Sequence, residues 1–408
     1  MIGSQGSRPE HQDHGVSGAS HGAVTRTSQA PLHLSVVLDD LTGVGGAELL
    51  LLSIFRHFDP AVVRPKVICL REAGELADEF RSAGFEVGTL DRSGRFDLRT
   101  VPRLVRCFRR DGTDAVLVMH HHRASHTLGR IAARLAPVSA NLIAVHDMGL
   151  ARLGLRCLPR YTVETLFLSQ ALILLAPSQG SYLHREEGVG RFPWRRIAET
   201  VVWNGIEIPP VQAADDRRRA RRQLGLAADD FVVGIVARLT DQKAHHVLLE
   251  AVRLLSPTHP RLRVVVVGDG PRGEELRTLA ADLGIAEQVQ FTGQRRDVPE
   301  LWPAFDVSCL SSVHEGAPIS VIESMAAGVP VVATDCGALR DMVADGEEGF
   351  IIPVGDAAAL AGRLAALAVD PALRASQGRR CRNRAEREYS IEGTVAGYQR
   401  LLTSLVTT

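Results

Sequence analysis

The stretch "FVVGIVARLTDQKAHHVLLEA" (residues 231–251), with "LRVVVVGDG" (residues 262–270) shortly after it, decides the fold. A run of β-branched residues, an amphipathic segment of helical period and a second β-branched run make one strand–helix–strand unit. The same alternation starts near residue 32 and continues to "VPVVAT" (residues 329–334). This rhythm predicts an α/β protein of doubly wound parallel sheets with helices on both faces.

Length and composition limit the class of protein. The chain has 408 residues, more than one ordinary domain, and 47 basic against 47 acidic residues. Because this balance creates no global field, we predict no nucleic-acid partner. The six cysteines are scattered without a C-x-x-C pair, which is typical of reduced thiols in a cytoplasmic enzyme and not of a disulfide framework or zinc site.

The alternation pauses around Pro209 and Pro210, where a linker between two domains is expected. The arginine-rich stretch after it (residues 217–222) is interpreted as a solvated helix. The predicted organisation is a disordered tail over residues 1–30, a Rossmann-like domain over 31–206, a linker over 207–214, a second Rossmann-like domain over 215–386 and a final helix over 387–408. A cleft between the domains is the expected ligand site, because such sheets bind ligands at the carboxyl ends of their strands.

Gly268, Gly270 and Gly273 match the G-x-G-x-x-G pattern of dinucleotide-binding proteins. That pattern requires an acidic residue about 20 positions later, to hold a ribose. Here the next strand ends in "TGQ" (residues 292–294), without a carboxylate. We therefore interpret the glycines as a tight turn between strand and helix, with Pro271 in the helix's first turn.

Arg238 and Lys243 flank the turn after the first strand of the second domain. Lys66 and Lys243 are the only lysines in this arginine-rich chain. Two cations beside a helix N-terminus form an anion site, because the free N–H groups and the helix dipole also favour a phosphate. The alternative is a pair of ordinary surface cations. If they bind a diphosphate, replacing Lys243 with alanine abolishes turnover and leaves the fold intact.

The segment "SSVHEGAPISVIESMAAG" (residues 311–328) carries two glutamates eight positions apart. Glu315 lies in a loop after a strand and Glu323 lies within the following helix. A carboxylate accepts hydrogen bonds from vicinal hydroxyls with both oxygens, so these side chains can hold the two sugars of one nucleotide sugar. Gly316 allows close backbone approach, and the amides near Ala317 can point at the ligand. The alternative is two solvated surface glutamates.

The ordered motifs "GGAE", "NGIEI", "ARLTDQK", "VVGDGP", "FTG" and "EGAPISVIE" resemble those of retaining glycosyltransferases of family 4, which have the GT-B fold. The resemblance covers residues 32–405. It implies two facing Rossmann-like domains and a final helix that packs back on the first. Ala244 and Ala317-Pro318 depart from the family pattern, and the second departure leaves the donor sugar open.

The resemblance also implies roles for individual residues. Arg238 and Lys243 would bind the donor diphosphate, and Glu323 the ribose. Glu315, Gly316 and Ala317 would face the transferred sugar, with His146 beside it. Gly45 and Gly46 would approach the donor from the first domain, and Gly293 would precede the loop that contacts the base.

The implied activity is retaining, metal-independent transfer of a hexose from a UDP- or GDP-sugar, without a cofactor, in cell-surface glycan or glycoconjugate synthesis. An epimerase, a phosphorylase or a non-catalytic sugar-nucleotide-binding protein of the same fold are the alternatives. The acceptor is open: a lipid-linked molecule, a glycan or a small molecule. The basic, apolar segment 149–160 suggests peripheral contact with the inner face of the membrane.

A histidine cluster follows the strand "AVLVM" (residues 115–119). His120, His122 and Arg123 are predicted to line the cleft on the acceptor side. A purely structural role is the open alternative, whereas a metal cluster is rejected because successive residues at a strand end point in opposite directions. No metal site is predicted.

Overall fold

Two parallel β-sheets form the framework of the protein. The computed structural model describes residues 30–42, 46–94, 97, 99–119, 122–136, 138–145, 168–186 and 197–407. Apart from Ala30, the predicted tail lies outside these residues. In the described part of the chain, no helix combines the length and apolar character needed to cross a bilayer.

The first sheet has seven strands, and every pair of neighbours is parallel. The strands are β1 (Leu32–Leu38), β2 (Val63–Cys69), β3 (Val87–Thr89), β4 (Ala115–Met119), β5 (Ala140–Val145), β6 (Ala171–Leu174) and β7 (Ala198–Val201), in the order β3-β2-β1-β4-β5-β6-β7. Its described helices are α1 (Gly46–His57), α2 (Leu76–Ser82), α3 (Thr100–Arg110), α4 (Arg123–Leu135) and α5 (Pro177–Glu186). Two separate apolar clusters cover the two faces of the sheet, and its central strands are therefore buried on both sides.

The second sheet has six parallel strands. They are β8 (Phe231–Val236), β9 (Leu262–Val267), β10 (Val289–Gly293), β11 (Val307–Leu310), β12 (Val331–Thr334) and β13 (Gly349–Ile352), in the order β10-β9-β8-β11-β12-β13. Its helices are α6 (Ala214–Gln223), α7 (His245–Leu255), α8 (Gly273–Asp282), α9 (Val298–Leu301), α10 (Ile319–Ala326), α11 (Leu339–Met342), α12 (Ala357–Val369) and α13 (Pro371–Glu388). The predicted α/β class with two parallel sheets is confirmed.

The last helix, α14 (Ile391–Val406), packs against the first sheet's core. Tyr398 and Leu402 are buried there with Phe55 of α1. The helix begins where the Oγ of Ser390 accepts the N–H of Gly393 at 3.1 Å, a typical N-cap. This final helix begins later than the predicted residue 387, because the preceding helix α13 continues to Glu388.

The arginine-rich helix α6 is partly solvated: its interpretation as a solvated helix was wrong for Arg221, whereas the side chain of Arg217 is 40% exposed. Arg221 is 4% exposed, and its guanidinium donates to Oδ2 of Asp306 at 2.8 Å. Arg217 donates to the other oxygen of the same carboxylate at 2.7 Å. A buried carboxylate just before β11 needs such partners, and two arginines one turn apart supply them.

Candidate active site

The candidate site lies at the carboxyl ends of β8 and β11, which are neighbours in register at Val233 and Val307. β8 is followed by a turn through Arg238 and a 3₁₀ helix (Asp241–Lys243), after which α7 begins at His245. β11 leads into the loop that carries Glu315. Parallel neighbours end at the same sheet edge, which brings these two loops together.

Lys243 and Glu315 form an ion pair across that edge. Nζ of Lys243 donates to Oε1 of Glu315 at 2.5 Å, and the two side chains are only 13% and 5% exposed. Oε2 of Glu315 makes no hydrogen bond to any described residue. The groups predicted to bind phosphate and sugar are therefore in direct contact, in a pair that water screens poorly.

Two residues that the sequence did not single out join these loops. The hydroxyl of Ser311 donates to the carbonyls of Lys243 and Ala244, at 3.0 and 3.1 Å. The amide of Gln242 donates to the carbonyl of His314 at 3.0 Å. Short polar residues in loops carry no sequence signal for such contacts. The result is a loop pair fixed by side-chain-to-backbone hydrogen bonds as well as by the ion pair.

The turn between the 3₁₀ helix and α7 places a neutral group beside Lys243. Ala244 adopts a left-handed conformation with φ of 43°, rare for a residue with a Cβ atom. The next residue, His245, is 2% exposed. Burial, and next the charge of Lys243, lower the pKa of His245 to about 4. His245 is therefore neutral near pH 7, and the positive charge at this turn comes from Lys243 and Arg238.

Arg238 differs from Lys243 in its surroundings. Its side chain is exposed, and no hydrogen bond or ion pair joins it to another described residue. An unpaired guanidinium with five donors is suited to a phosphate group. Of the two predicted cations, one is therefore buried and paired while the other is available to an anionic ligand.

The three glycines of the G-x-G-x-x-G pattern lie beneath the Arg238 turn. A Cβ atom on Gly268 would lie 2.1 Å from the carbonyl oxygen of Ala237, and one on Gly270 would lie 2.5 Å from that of Leu239. Both contacts are too short for a side chain. Pro271 lies before α8 and not in its first turn, because α8 begins at Gly273. Because Gly268 and Gly270 lack side chains, the backbone that follows β9 can pack directly against the turn that carries Arg238.

Replacing Gly268 with alanine is expected to lower the melting temperature strongly, because the new Cβ would overlap a backbone oxygen and φ is 140°. Gly273→Ala is the matched control: its Cβ would meet Cδ1 of Leu239 at 3.5 Å and Oδ1 of Asp269 at 3.8 Å, both ordinary distances. Thermal unfolding of both variants checks this. Equal melting temperatures would contradict the supporting role of Gly268.

The loop of residues 315–317, called the donor loop below, is held closely by the chain after β12. The amide of Ala338 donates to the carbonyl of Gly316 at 3.1 Å. Gly337 lies against the carbonyl of Glu315, where a Cβ atom would come within 1.9 Å of the oxygen. Ala317 is buried. The backbone of the loop is thus fixed before α10 begins.

Glu323 lies one turn into α10 and is half-buried. Burial raises the pKa of its carboxyl group to about 7, although the nearby Trp302 indole opposes the shift. A carboxyl group with a strongly raised pKa in a cleft is a common mark of a functional site. In the described residues, no hydrogen bond or ion pair joins Glu323 to Lys243 or Glu315.

Gly293 ends β10 with φ of 71°, and its carbonyl accepts the N–H of Gly268 at 2.9 Å. The segments predicted to hold the nucleotide sugar therefore follow the carboxyl ends of three strands of one sheet: the turn after β8, the end of β10 and the segment from Glu315 to Glu323 after β11. That Gly293 precedes the loop that contacts the base stays a prediction.

The first sheet approaches this edge through α1. A Cβ atom on Gly46 would lie 3.2 Å from Cδ1 of Ile319, the first residue of α10. The start of α1 and the start of α10 are therefore close neighbours. The predicted donor contact of Gly46 is compatible with this position and stays a prediction.

His122 is 9% exposed and is held by the first sheet. Its Nδ1 accepts the N–H of Asp39 at 3.2 Å, and its Nε2 lies 3.3 Å from Oε1 of Glu48. Its predicted acceptor contact stays untested. Gly45, His120, His146, the side chain of Arg123 and the segment 149–160 lie outside the described residues.

Comparison with known proteins assigns a chemistry to this edge. Residues 216–384 match the family model of glycosyl transferases group 1. This part of the chain is therefore similar to a glycosyltransferase domain. It contains Arg238, Lys243, Glu315 and Glu323.

Two curated relatives carry similar names. The chain is 38% identical over 213 residues to a D-inositol 3-phosphate glycosyltransferase of Streptomyces avermitilis, covering 49% of this chain and 46% of that one. It is 33% identical over 218 residues to the lipopolysaccharide core biosynthesis glycosyltransferase LpsE of Rhizobium meliloti, covering 53% of this chain and 61% of that one. The match therefore spans less than two thirds of either relative.

A solved structure extends the likeness to both sheets of this chain. Anabaena Alr3699/HepE in complex with UDP superposes with a TM-score of 0.79 at 22% identity, covering 91% of this chain and all of that one. The same protein has also been solved with UDP-glucose, with a TM-score of 0.78. At this identity the likeness establishes the fold, which is the GT-B fold.

Proposed function

We propose that this chain is a retaining, metal-independent glycosyltransferase that moves a hexose from a UDP- or GDP-sugar to an acceptor. The observation that carries the proposal is the desolvated pair of Lys243 and Glu315 at the carboxyl edge of the second sheet, with exposed Arg238 in the turn that leads to Lys243. A protein of the same fold, HepE, has been solved with UDP and with UDP-glucose, which supports a nucleotide-sugar donor.

Charge development explains how these residues accelerate transfer. Breaking the anomeric bond places positive charge on the sugar ring and negative charge on the departing diphosphate. Arg238 and the remaining N–H groups of Lys243 stabilise the diphosphate more strongly in that state than in the bound donor, which is what lowers a barrier. Two protein cations thus take the role that a divalent ion plays elsewhere. A donor phosphate oxygen then accepts the acceptor's proton.

The acidic residues hold the sugars. Oε2 of Glu315 is available to hydroxyls of the hexose while Oε1 stays on Lys243. Glu323, further along α10, holds the ribose hydroxyls. Because Glu315 touches both the phosphate-binding lysine and the sugar, the ion pair fixes the distance between leaving group and ring. Proximity of this kind is a major part of catalysis.

The acceptor and the location complete the proposal. The name of the relative LpsE supports a cell-surface glycan or glycoconjugate as the product's destination. The described cysteines, Cys69, Cys107, Cys309, Cys336 and Cys381, are all free, which supports a cytoplasmic location. We place the reaction at the inner face of the membrane if the acceptor is lipid-linked.

Thermal unfolding with a panel of nucleotide sugars tests the donor. UDP, GDP and their common hexose derivatives are added separately, and a donor at about 100 times its Kd is expected to stabilise the fold by about 2.7 kcal/mol. Slow hydrolysis of the stabilising sugar then shows turnover. A flat response to every compound would contradict the proposal. Interconversion of sugars, or cleavage by inorganic phosphate, would favour the epimerase or phosphorylase alternatives.

Removing divalent ions tests the role of the cations. Turnover is expected to be unchanged in excess EDTA, because Arg238 and Lys243 balance the diphosphate charge. Initial rates with EDTA, and with added Mg²⁺ or Mn²⁺, check this. A rate that collapses in EDTA and returns with one metal would contradict a metal-independent mechanism.

A further inference from the structure

Asn204 connects the chain after the first sheet to the donor loop. Its side chain is 5% exposed, and its Nδ2 donates to the carbonyl of Ala317 at 2.9 Å. Asn204 follows β7 by three residues, whereas Ala317 lies two residues after Glu315. The bond therefore joins segments 113 residues apart at the candidate site.

The backbone around Asn204 is fixed. Ile206 makes two backbone hydrogen bonds of 2.9 Å, donating to the carbonyl of residue 389 and accepting from the amide of residue 391. A Cβ atom on Gly205 would lie 2.3 Å from the carbonyl oxygen of Ser390, so the two segments are in tight contact. Asn204 is thus anchored at the junction of α13 and α14 and can act as a fixed point.

Each residue of the donor loop has one anchoring contact. Glu315 bonds Lys243, the carbonyl of Gly316 accepts from Ala338, and the carbonyl of Ala317 accepts from Asn204. The first two contacts come from loops of the second sheet. The third comes from the chain that links the two sheets. Asn204 thereby determines where the loop lies relative to the first sheet.

We propose that Asn204 is a positioning residue for the donor sugar. Its hydrogen bond fixes the Ala317 peptide, and this holds Glu315 and the amides of the loop against the hexose while Lys243 and Arg238 hold the diphosphate. This inference rests on the proposed function. This role requires the side-chain amide of Asn204 to donate a hydrogen bond, because an apolar or acidic side chain of similar size does not satisfy the buried carbonyl of Ala317.

Two variants separate donation from packing. Asn204→Ala removes the donor, and Asn204→Asp keeps the shape but places a carboxylate against a carbonyl oxygen. Each is expected to weaken the affinity for the sugar donor about tenfold or more, with the aspartate at least as harmful as the alanine. Affinity for the matching nucleoside diphosphate alone should change less than twofold, because it lacks the hexose. A packing role alone would make the aspartate the milder change.

Asp341→Ala is the matched control. Oδ2 of Asp341 accepts the N–H of Ser178 at 2.9 Å, so this variant also loses a side-chain-to-backbone bond between the two parts of the chain. It leaves the contact with Ala317 intact and should bind donor like wild type. Wild-type affinity for the donor in both Asn204 variants contradicts the positioning role alone. A wild-type chain that binds no nucleotide sugar contradicts the proposed function itself.

Discussion

Replacing Lys243 with alanine is expected to lower kcat/KM on the order of 10²–10³-fold, the effect seen when a group that stabilises transition-state charge is removed. Nζ of Lys243 contacts Oε1 of Glu315, the carboxylate proposed to hold the sugar, at 2.5 Å. Under the proposed function, loss of the lysine removes positive charge from beside the diphosphate and also releases Glu315. Initial rates with the best donor, measured at saturating acceptor, check the prediction.

The same replacement is expected to lower the stability of the fold, whereas the sequence alone predicted that the fold would stay intact. Glu315 is 5% exposed, and without Lys243 its charge is buried without a partner. Breaking a buried pair in this way costs about 3–5 kcal/mol. Adding Glu315→Gln to the lysine variant removes the unpaired buried charge. The double variant should regain most of the melting temperature and none of the activity.

Arg238→Ala is the control for this prediction. The side chain of Arg238 is exposed and unpaired within the described residues, so its loss should reduce turnover but leave the free energy of unfolding within about 0.5 kcal/mol of wild type. The Arg238 variant would then lose activity but keep its stability, whereas the Lys243 variant would lose both. Full turnover by the Lys243 variant would remove the phosphate assignment.

The central parts of the fold could be predicted from sequence because they are buried on both faces. β9, with four consecutive valines (residues 264–267), is an example. The short edge strands β3 and β13 were not predicted. Neither has a long apolar run, and β3 includes no fully buried residue. Edge strands pack on fewer neighbours, so their composition carries a weaker signal.

The candidate site was predictable as a set of residues but not as a set of contacts. Arg238, Lys243, Glu315 and Glu323 stand out by type and position in a strand–loop–helix pattern. The ion pair between Lys243 and Glu315 depends on β8 and β11 being neighbours, although β9 and β10 lie between them in sequence. The bond from Asn204 depends on how the two sheets are joined. Such contacts follow from topology, which local patterns do not encode.

Glu323 links activity and stability through its pKa of about 7. Only the ionised carboxylate accepts hydrogen bonds from both ribose hydroxyls with both oxygens. Donor affinity should therefore fall as the pH drops through about 7, because the carboxyl group becomes protonated. The pH dependence of donor KM measures this. Glu323→Gln should bind the donor weakly at every pH, with a flat profile over the same range.

Stability is expected to change in the opposite direction. A carboxyl group whose pKa is raised on folding favours the folded state fully below its ordinary value of 4.5, and this contribution is lost as the pH rises through about 7. Glu323→Gln, which stays neutral, should therefore be more stable than wild type at pH 8, by on the order of 1–2 kcal/mol. At pH 5 the two proteins should unfold at nearly the same temperature.

As the pH rises through about 7, donor affinity should increase while stability decreases, and a purely structural glutamate would not produce both changes. A surface glutamate such as Glu250 on α7 is exposed, so Glu250→Gln should alter neither donor KM nor the pH dependence of stability. A residue kept only for packing would lose stability when changed and would leave the pH profile of KM intact. The ribose contact proposed for the half-buried Glu323 requires the reverse: the glutamine variant avoids the cost of desolvating a charge, but it lacks the carboxylate that would hold the donor. A Glu323→Gln protein that binds the donor normally would contradict the assigned role.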